Sequence, residues 1–316
     1  MVKQSAPNAK DLMFMSETTF APIAGVPLRL ADDLRLVLAP NPSPMTYLGT
    51  NTFLLGHKQI AVIDPGPDDN AHLEAIMAAV GAAQVSHIIV THAHLDHSPL
   101  ARPLSDLTGA PIYAFGPAHK GRSAIMQQLA DQGLAGGGEG IDGAFIPDIV
   151  VADGEKINGA DWSLTAIHTP GHIGNHICLA WGDAIFTGDH VMGWASSLVS
   201  PPDGDLTDFM QSCEKLKSYN ASKFYPAHGA PIEQASDRLN WLIDHRNART
   251  SQILAAMGHH PREIDEITAT VYHDVNPALL TAAKRNVFAH LVDLHQRGEI
   301  TAKPALSTKA KFAKQN

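Results

Sequence analysis

Apolar positions along this chain change period several times, and each change marks an element. Between residues 28 and 66 they fall in short runs, Leu34-Arg35-Leu36-Val37-Leu38, Thr52-Phe53-Leu54-Leu55 and Ile60-Ala61-Val62-Ile63, separated by turn formers at Asn41-Pro42 and Gly56-His57. Runs of that length bounded by such residues predict antiparallel hairpins at the edge of a sheet. Over 71–80 the period lengthens, with Leu73, Ile76, Met77 and Val80 on one helical face. His87-Ile88-Ile89-Val90 returns to a strand-like run, and Ser98 before Pro99 predicts the start of a second helix. Three later runs also read as strands: Trp162 to Ile167, Asp183 to Thr187, and Lys223-Phe224-Tyr225. The glycine-rich stretch 134–143 is either a mobile loop at a substrate entrance or a plain surface connector.

The character changes after residue 236. A long helix is expected over 237–257 from Leu239, Leu242, Ile243, Ile253 and Leu254. His260-Pro261 breaks it, and Pro261-Arg262-Glu263 opens a helix carrying Ile264, Ile267 and Val271. A third helix is expected over 277–296, from Asn276-Pro277 to a stop at Gly298, followed by a short strand or wing at Glu299-Ile300-Thr301-Ala302. Three helices and a wing make a winged-helix-like module over 237–305, behind an α/β domain over 1–236. The Lys- and Ala-rich end of the chain, 306–316, reads as a disordered tail.

Length and composition agree with this division. A chain of 316 residues, 44% of them hydrophobic, suits one large domain and a small one. Residues 237–316 hold 11 Lys/Arg against 8 Asp/Glu, a formal +3, which leaves −12 for the remainder of a chain whose net charge is −9. So acidic a first domain argues against a broad nucleic-acid-binding surface there. Cys178 and Cys213 are far apart in sequence, so no structural disulfide is expected, and a reducing compartment is. The first twenty residues lack a signal-peptide core, and no segment reaches transmembrane length. The expectation is a soluble, cytoplasmic protein with no membrane partner.

Chemistry enters where the strands stop. The run ending at Val90 continues as Thr91-His92-Ala93-His94-Leu95-Asp96-His97, with four metal-binding side chains within six residues. They cannot all face one way on a regular helix or strand, but they converge if the chain turns there. A surface histidine cluster is the plain alternative. Three later strand ends repeat the arrangement, in His168-Thr169-Pro170-Gly171-His172, in Gly188-Asp189-His190 and in Pro226-Ala227-His228-Gly229. Loops at strand ends can converge over one sheet edge. Imidazole and carboxylate suit divalent zinc, and also manganese or iron.

In these residues the chain resembles the metallo-β-lactamase superfamily of hydrolases. The pattern is His-x-His-x-Asp-His at His92, His94, Asp96 and His97, then His172, Asp189 and His228, with lesser matches at Gly49-Thr50-Asn51-Thr52, Asp64-Pro65-Gly66 and Asp153-Gly154-Glu155. The resemblance implies an αββα sandwich carrying two divalent metals, zinc first. His92, His94 and His172 would hold one, Asp96, His97 and His228 the other, and Asp189 would bridge them. Two such ions about 3.5–4 Å apart share a water, lower its pKa and leave a bridging hydroxide as nucleophile. Only a carboxylate at 189 can give one oxygen to each ion while offsetting their charge. Asp96 would bind metal and also orient the water or pass its proton, so the resemblance implies Asp96 and Asp189 as the catalytic pair.

The C-terminal helices, with Leu291-x-x-Leu294-x-x-x-Gly298, resemble the winged-helix-like domain of the branch typified by β-lactamase-like protein 2 endoribonucleases. That branch implies single-stranded RNA as a substrate, and a homodimer. A glyoxalase II-like hydrolase of small esters, thioesters or lactones is the alternative, and no RNA-stacking platform is evident in the sequence. In the superfamily, secreted β-lactamases lack a carboxylate at the position of Asp189, and the oxygen-reducing diiron branch has Glu at that of His94. The helix over 277–296 offers only Lys284 and Arg285 near its middle, so the module reads as a packing or dimer element rather than a DNA reader. A scaffold with a vestigial site is opposed by the complete ligand set. His176 either contacts substrate, orients a ligand or is a satisfied core histidine. His190 reads as structural or as an outer partner of the ligands, and Asp64 as orienting a ligand histidine.

Overall fold

The computed structural model describes residues 20–136, 140–258, 260–274 and 276–315. The N-terminal hairpins form as expected. Strands β1 (Leu28–Arg29), β2 (Leu34–Leu38), β3 (Asn51–Leu55) and β4 (Gln59–Ile63) pair antiparallel in sequence order. The sheet continues in parallel through β5 (Gln84–Ile89), β6 (Ile112–Ala114) and β7 (Ile149–Val150). A second sheet has the order β12-β11-β10-β9-β8, built from β8 (Lys156–Asn158), β9 (Ser163–His168), β10 (Ile177–Trp181), β11 (Ala184–Gly188) and β12 (Lys223–Pro226).

Strand alternation explains how the sheets stack. In β2, Leu34, Leu36 and Leu38 enter the layer between the sheets, while Val37 enters the layer outside. Between the sheets they meet Leu164, Leu179, Phe186 and Tyr225 of the second sheet. Phe53 packs edge-on against Phe186 at 5.1 Å and Tyr225 at 6.0 Å across that seam. Outside the first sheet lie α1 (Asn70–Val80), through Ile76 and Val80, and α2 (Ala101–Thr108), through Leu104. Outside the second lie α4 (Leu206–Lys217), through Phe209, Cys213 and Leu216, and α5 (Ala235–Met257), through Leu239 and Leu242. This is the αββα sandwich, with each buried side chain of this size worth about 1.5–3 kcal/mol. Cys178 and Cys213 are both free thiols.

Helix boundaries follow local chemistry. Asp69 caps α1 by accepting from the His72 N–H, and Gly81 ends it at φ 65°. The second helix does not start at Ser98. The Ser98 hydroxyl is 2.7 Å from Asp142 instead of capping, and the helix begins three residues later, at Ala101.

The C-terminal module has the expected helices with two corrections. Arg262–Glu263 is a strand, β13, rather than the first turn of a helix; α6 (Ile264–Val271) follows with a Glu263/Glu266 capping box. The end of the chain is not a disordered tail. Lys311–Lys314 forms β15 between β13 and β14 (Ile300–Lys303), because Phe312 is fully buried and the backbone pairs on both sides. The expected third helix opens as a 3-10 turn at Pro277–Leu279 and continues as α7 (Leu280–Gln296). The core of the module mixes Ile253, Ile267, Val287, Leu291 and Phe312 with Met126 and Leu129 of α3 (Ala124–Asp131), a helix of the first domain. Its hydrophobic core is thus shared with the sandwich. Among the described residues, no helix is long and apolar enough to cross a membrane.

Candidate metal centre

The four strand ends meet along one edge of the sandwich. The turn after β5 carries His92 to His97, the turn after β9 carries His172, β11 runs into Asp189, and β12 into His228. The main chain ties these turns together. The Ile177 N–H donates to Thr91 O at 2.8 Å, the Ala227 N–H to Gly188 O at 3.0 Å, and the Asn51 N–H to Ala227 O at 2.7 Å. Gly188 is required where it stands. It sits at φ 49°, and a Cβ there would lie 2.5 Å from His176 Nε2.

All seven predicted ligand residues come together, and all are at most 8% exposed. Ring nitrogens converge in one group: His94 Nδ1 lies 3.0 Å from His92 Nε2 and 3.1 Å from His172 Nε2. In a second group, Asp96 Oδ2 lies 3.2 Å from His97 Nε2 and 3.1 Å from His228 Nε2. Asp189 stands between them. Its Oδ2 faces His172 Nε2 at 3.6 Å, and its Oδ1 faces His228 Nε2 at 3.2 Å and His97 Nε2 at 3.6 Å. One carboxylate therefore offers one oxygen to each group.

The far side of each ring sets which nitrogen points inward. His172 Nδ1 donates to Leu198 O at 2.7 Å, and His228 Nδ1 to Gly49 O at 3.1 Å. His97 Nδ1 donates to Asp64 Oδ2 at 3.1 Å. The Thr91 hydroxyl donates to Asp64 at 2.8 Å, so His92 Nδ1, 3.0 Å away, donates to Thr91 Oγ1. In these four rings the Nε2 atom is left for the centre, the arrangement expected of ligand histidines held by outer partners.

Electrostatics divide the groups. Burial lowers the pKa of His92, His94 (to about 3) and His172, keeping those rings neutral. Burial also acts on His97 and His228, but Asp96 and Asp189 overcome it; His97 is raised well above the usual value and His228 to about 10. For Asp96 and Asp189 burial works toward the neutral acid, yet the neighbouring imidazoles hold both well below the usual carboxylate range. Both Asp96 oxygens, Asp189 Oδ1, His97 Nε2 and His228 Nε2 are buried without a hydrogen-bond partner. Unsatisfied atoms converging from three loops fit cations, which would replace the protons held by His97 and His228.

The remaining predicted residues lie around this set. Asp64, at φ 50° after β4, contacts His97 directly and His92 through Thr91. His176 is fully buried, and both of its nitrogens are engaged. Its Nε2 accepts from the Asp189 N–H at 3.2 Å, and its Nδ1 meets Thr169 Oγ1 at 2.9 Å. That leaves no ring nitrogen for a substrate, and the contacts fit a satisfied core histidine and an orienting one alike. His190 turns away from the centre, 4.4 Å from the Phe209 ring and 3.5 Å from Cys213 Sγ.

Sequence reasoning did not find Thr91, Ser197 or Arg246. A threonine before the first histidine carries no distinctive signal; Ser197, on the main-chain oxygens of Asp189 and His190, and Arg246, which donates to Ser197 O, come together only through tertiary contacts. The glycine-rich stretch is seen in part, residues 137–139 lying outside the described residues. Its far end leans on the histidine turn, through Leu95 N–H to Gly140 O at 3.1 Å and Asp142 N–H to Ala93 O at 3.0 Å.

Comparison with known proteins agrees with this geometry. Residues 45–228 match the metallo-beta-lactamase superfamily, and residues 264–305 match the beta-lactamase associated winged helix domain. A beta-lactamase-like protein 2 homolog of Caenorhabditis elegans is 29% identical over 86% of this chain and 87% of its own length. An atrochrysone carboxyl ACP thioesterase of Aspergillus fumigatus is 30% identical over 72% of this chain and 65% of its own. In three dimensions, a beta-lactamase domain protein from Burkholderia ambifaria superposes with a TM-score of 0.76 at 20% identity, over 94% of this chain and 96% of the other. The ligand pattern, the sandwich that positions it and these matches lead to one assignment. The chain belongs to the metallo-beta-lactamase superfamily and is a metal-dependent hydrolase with a C-terminal winged-helix domain.

Proposed function

We propose that this hydrolase binds two divalent ions and cleaves small carboxylic esters or thioesters. The observation that carries the two-ion reading is the division of the Asp189 oxygens between two groups of ligand atoms, 3.6 Å from His172 on one side and 3.2 Å from His228 on the other. His92, His94 and His172 would hold the first ion, and Asp96, His97 and His228 the second, with Asp189 shared. Bound there, zinc (or manganese or iron) supplies an activated water and polarises the carbonyl under attack. The chain's own part is positional. Asp64, Thr91, Leu198 and Gly49 hold four rings so that Nε2 faces inward. Asp96, whose two oxygens have no hydrogen-bond partner, can give one to an ion and use the other to orient the water and take its proton.

The surroundings of the centre support an acyl substrate over a polyanion. Leu95, between two ligand residues, is 47% exposed. Trp194 lies against Gly229, beside His228, and stacks on Tyr47 at 5.1 Å. Two nearby arginines are already engaged. Arg122 pairs with Asp203 at 2.9 Å, and Arg285 donates to Gly136 O at 2.7 Å and Ser200 Oγ at 3.1 Å. Engaged cations are poorly placed to neutralise a run of phosphates. A relative named as a thioesterase points the same way.

Single-stranded RNA is the second reading, favoured by the likeness to beta-lactamase-like protein 2 homologs across both domains. The deciding experiment compares turnover of aryl esters, thioesters and lactones with cleavage of an RNA oligonucleotide, metal content being determined on the same sample. Fast acyl hydrolysis abolished by a chelator and restored by zinc is the expected result. Fast RNA cleavage with negligible acyl turnover overturns the acyl reading, and activity retained after complete metal removal overturns both.

A further inference from the structure

Helix α5 leads from the sandwich into the C-terminal module, and halfway along it carries Arg246, a guanidinium only 1% exposed. Its Nη2 donates to Ser197 O, and its Nη1 to Asn286 Oδ1 on α7 at 2.6 Å. Ser197, 2% exposed, turns its hydroxyl onto the main-chain oxygens of Asp189 and His190. The other side of Asp189 is held as well, its N–H donating to His176 Nε2 at 3.2 Å. Asn286 in turn donates to the Tyr272 hydroxyl at 3.0 Å, and Arg249 lies 4.1 Å over the Tyr272 ring. A line of polar contacts thus runs from the C-terminal module to the backbone of the residue shared by the two ligand groups.

Filling space is a poor account of Arg246. Among the described residues no ion pair includes it, and burial pulls its pKa down to about 10. A guanidinium buried without a carboxylate is costly, and an apolar side chain of similar volume would pack at lower cost. What only a guanidinium supplies here is a planar fork that donates to two acceptors on different elements at once. Those acceptors are the loop that holds Asp189 and the helix of the C-terminal module.

We propose that Arg246 is a positioning residue for the Asp189 carboxylate, and that the C-terminal module, through Arg246 and Asn286, holds the geometry in which two ligand groups share it. This rests on the two-ion reading above. It assigns the module a part in building the centre.

Full-length Ser197→Ala, Asn286→Ala, Arg246→Lys and Arg246→Met, with Lys284→Ala as a control on the same module, test the proposal. The measurements are zinc affinity and stoichiometry by competition with a chromophoric chelator, the visible spectrum of the cobalt-substituted protein, kcat and KM, and the thermal midpoint. Ser197→Ala and Asn286→Ala are expected to weaken binding of one ion by about 10–100-fold. They should alter the cobalt spectrum and lower kcat with little change in KM, and Arg246→Lys should recover part of the loss seen in Arg246→Met. Lys284→Ala should match the wild type. If Arg246→Met does not fold, the Ser197 and Asn286 variants decide. Two ions bound with wild-type affinity and spectrum in both of those variants would overturn the proposal while leaving the two-ion centre standing. A wild-type protein that binds fewer than two ions would remove the two-ion centre itself, and this proposal with it.

Discussion

Asp64 Oδ2 lies 3.1 Å from His97 Nδ1, although 33 residues separate them in the chain. The same carboxylate accepts the Thr91 N–H at 2.7 Å and the Thr91 hydroxyl at 2.8 Å, and through Thr91 it orients His92. One buried carboxylate thus touches, directly or through Thr91, a ring in each group, and it is expected to aim both. Asp64→Asn keeps the shape but can turn an amide N–H toward the His97 Nδ1–H. Losing such an outer partner should cost about 10–100-fold in metal affinity or activity. The check is a chelator-competition titration on protein with an unchanged far-ultraviolet spectrum, and wild-type affinity would refute the orienting role.

Asp189→Ala removes both shared oxygens. Metal content should fall from two ions to one or none per chain, and turnover should drop by at least about 100-fold, given that interactions holding ligands are each worth 10–100-fold. Elemental analysis after dialysis, combined with initial rates, reads both effects. Near-normal turnover with two ions retained would refute the shared-ligand assignment.

Buried neutral histidines outside the centre should make the protein acid-labile. Burial lowers His72 to about 4 and His290 well below 6.5, against an unfolded value near 6.5. His72 Nε2 meets Thr52 Oγ1 at 2.9 Å, but its Nδ1 is buried without an acceptor, so a second proton has nowhere favourable to go. The unfolded chain therefore takes up protons first. The stability these groups contribute is complete above about pH 6.5 and is lost as pH falls toward 4, by about 1.4 kcal/mol per pH unit for each group. Urea midpoints of metal-free protein should be clearly lower at pH 5 than at pH 7, and less so in His290→Gln. An equal or higher midpoint at pH 5 would refute this.

The last strand holds a core residue. Phe312 is fully buried, and its strand pairs with both β13 and β14. Phe312→Ala should cost about 3–5 kcal/mol, as emptied aromatic core positions do. Denaturant unfolding measures it. A loss under 1 kcal/mol would return these residues to the status of a dispensable tail.

The candidate ligand residues that the structure brings together were legible because their signals are local. A histidine or aspartate directly after each apolar run can be read without knowing where the runs lie in space, and their order along the chain matches the superfamily. Strand and helix periods were legible for the same reason, as in the alternation of Leu34, Leu36 and Leu38. Boundaries failed where a distant partner decided them. Ser98 reads as a helix start, but Asp142 takes its hydroxyl. The chain end reads as disordered from its lysines, but Phe312 finds a core made by α5, α6 and α7.

By itself, then, the sequence determined which residues can bind metal, the strands that run into them and the long helices of the C-terminal half, and that a second small module follows the first. It did not reveal α3, α4 or the strands β13 and β15. Only the tertiary structure decided that the Asp189 oxygens face different groups, that Asp64 serves both, that His176 has no nitrogen to spare, and that Arg246 reaches the loop behind the centre. Composition and periodicity record what a side chain can do. Orientation depends on which partner lies within about 3 Å, and residues tens of positions apart acquire such partners only when the sheets close on one another.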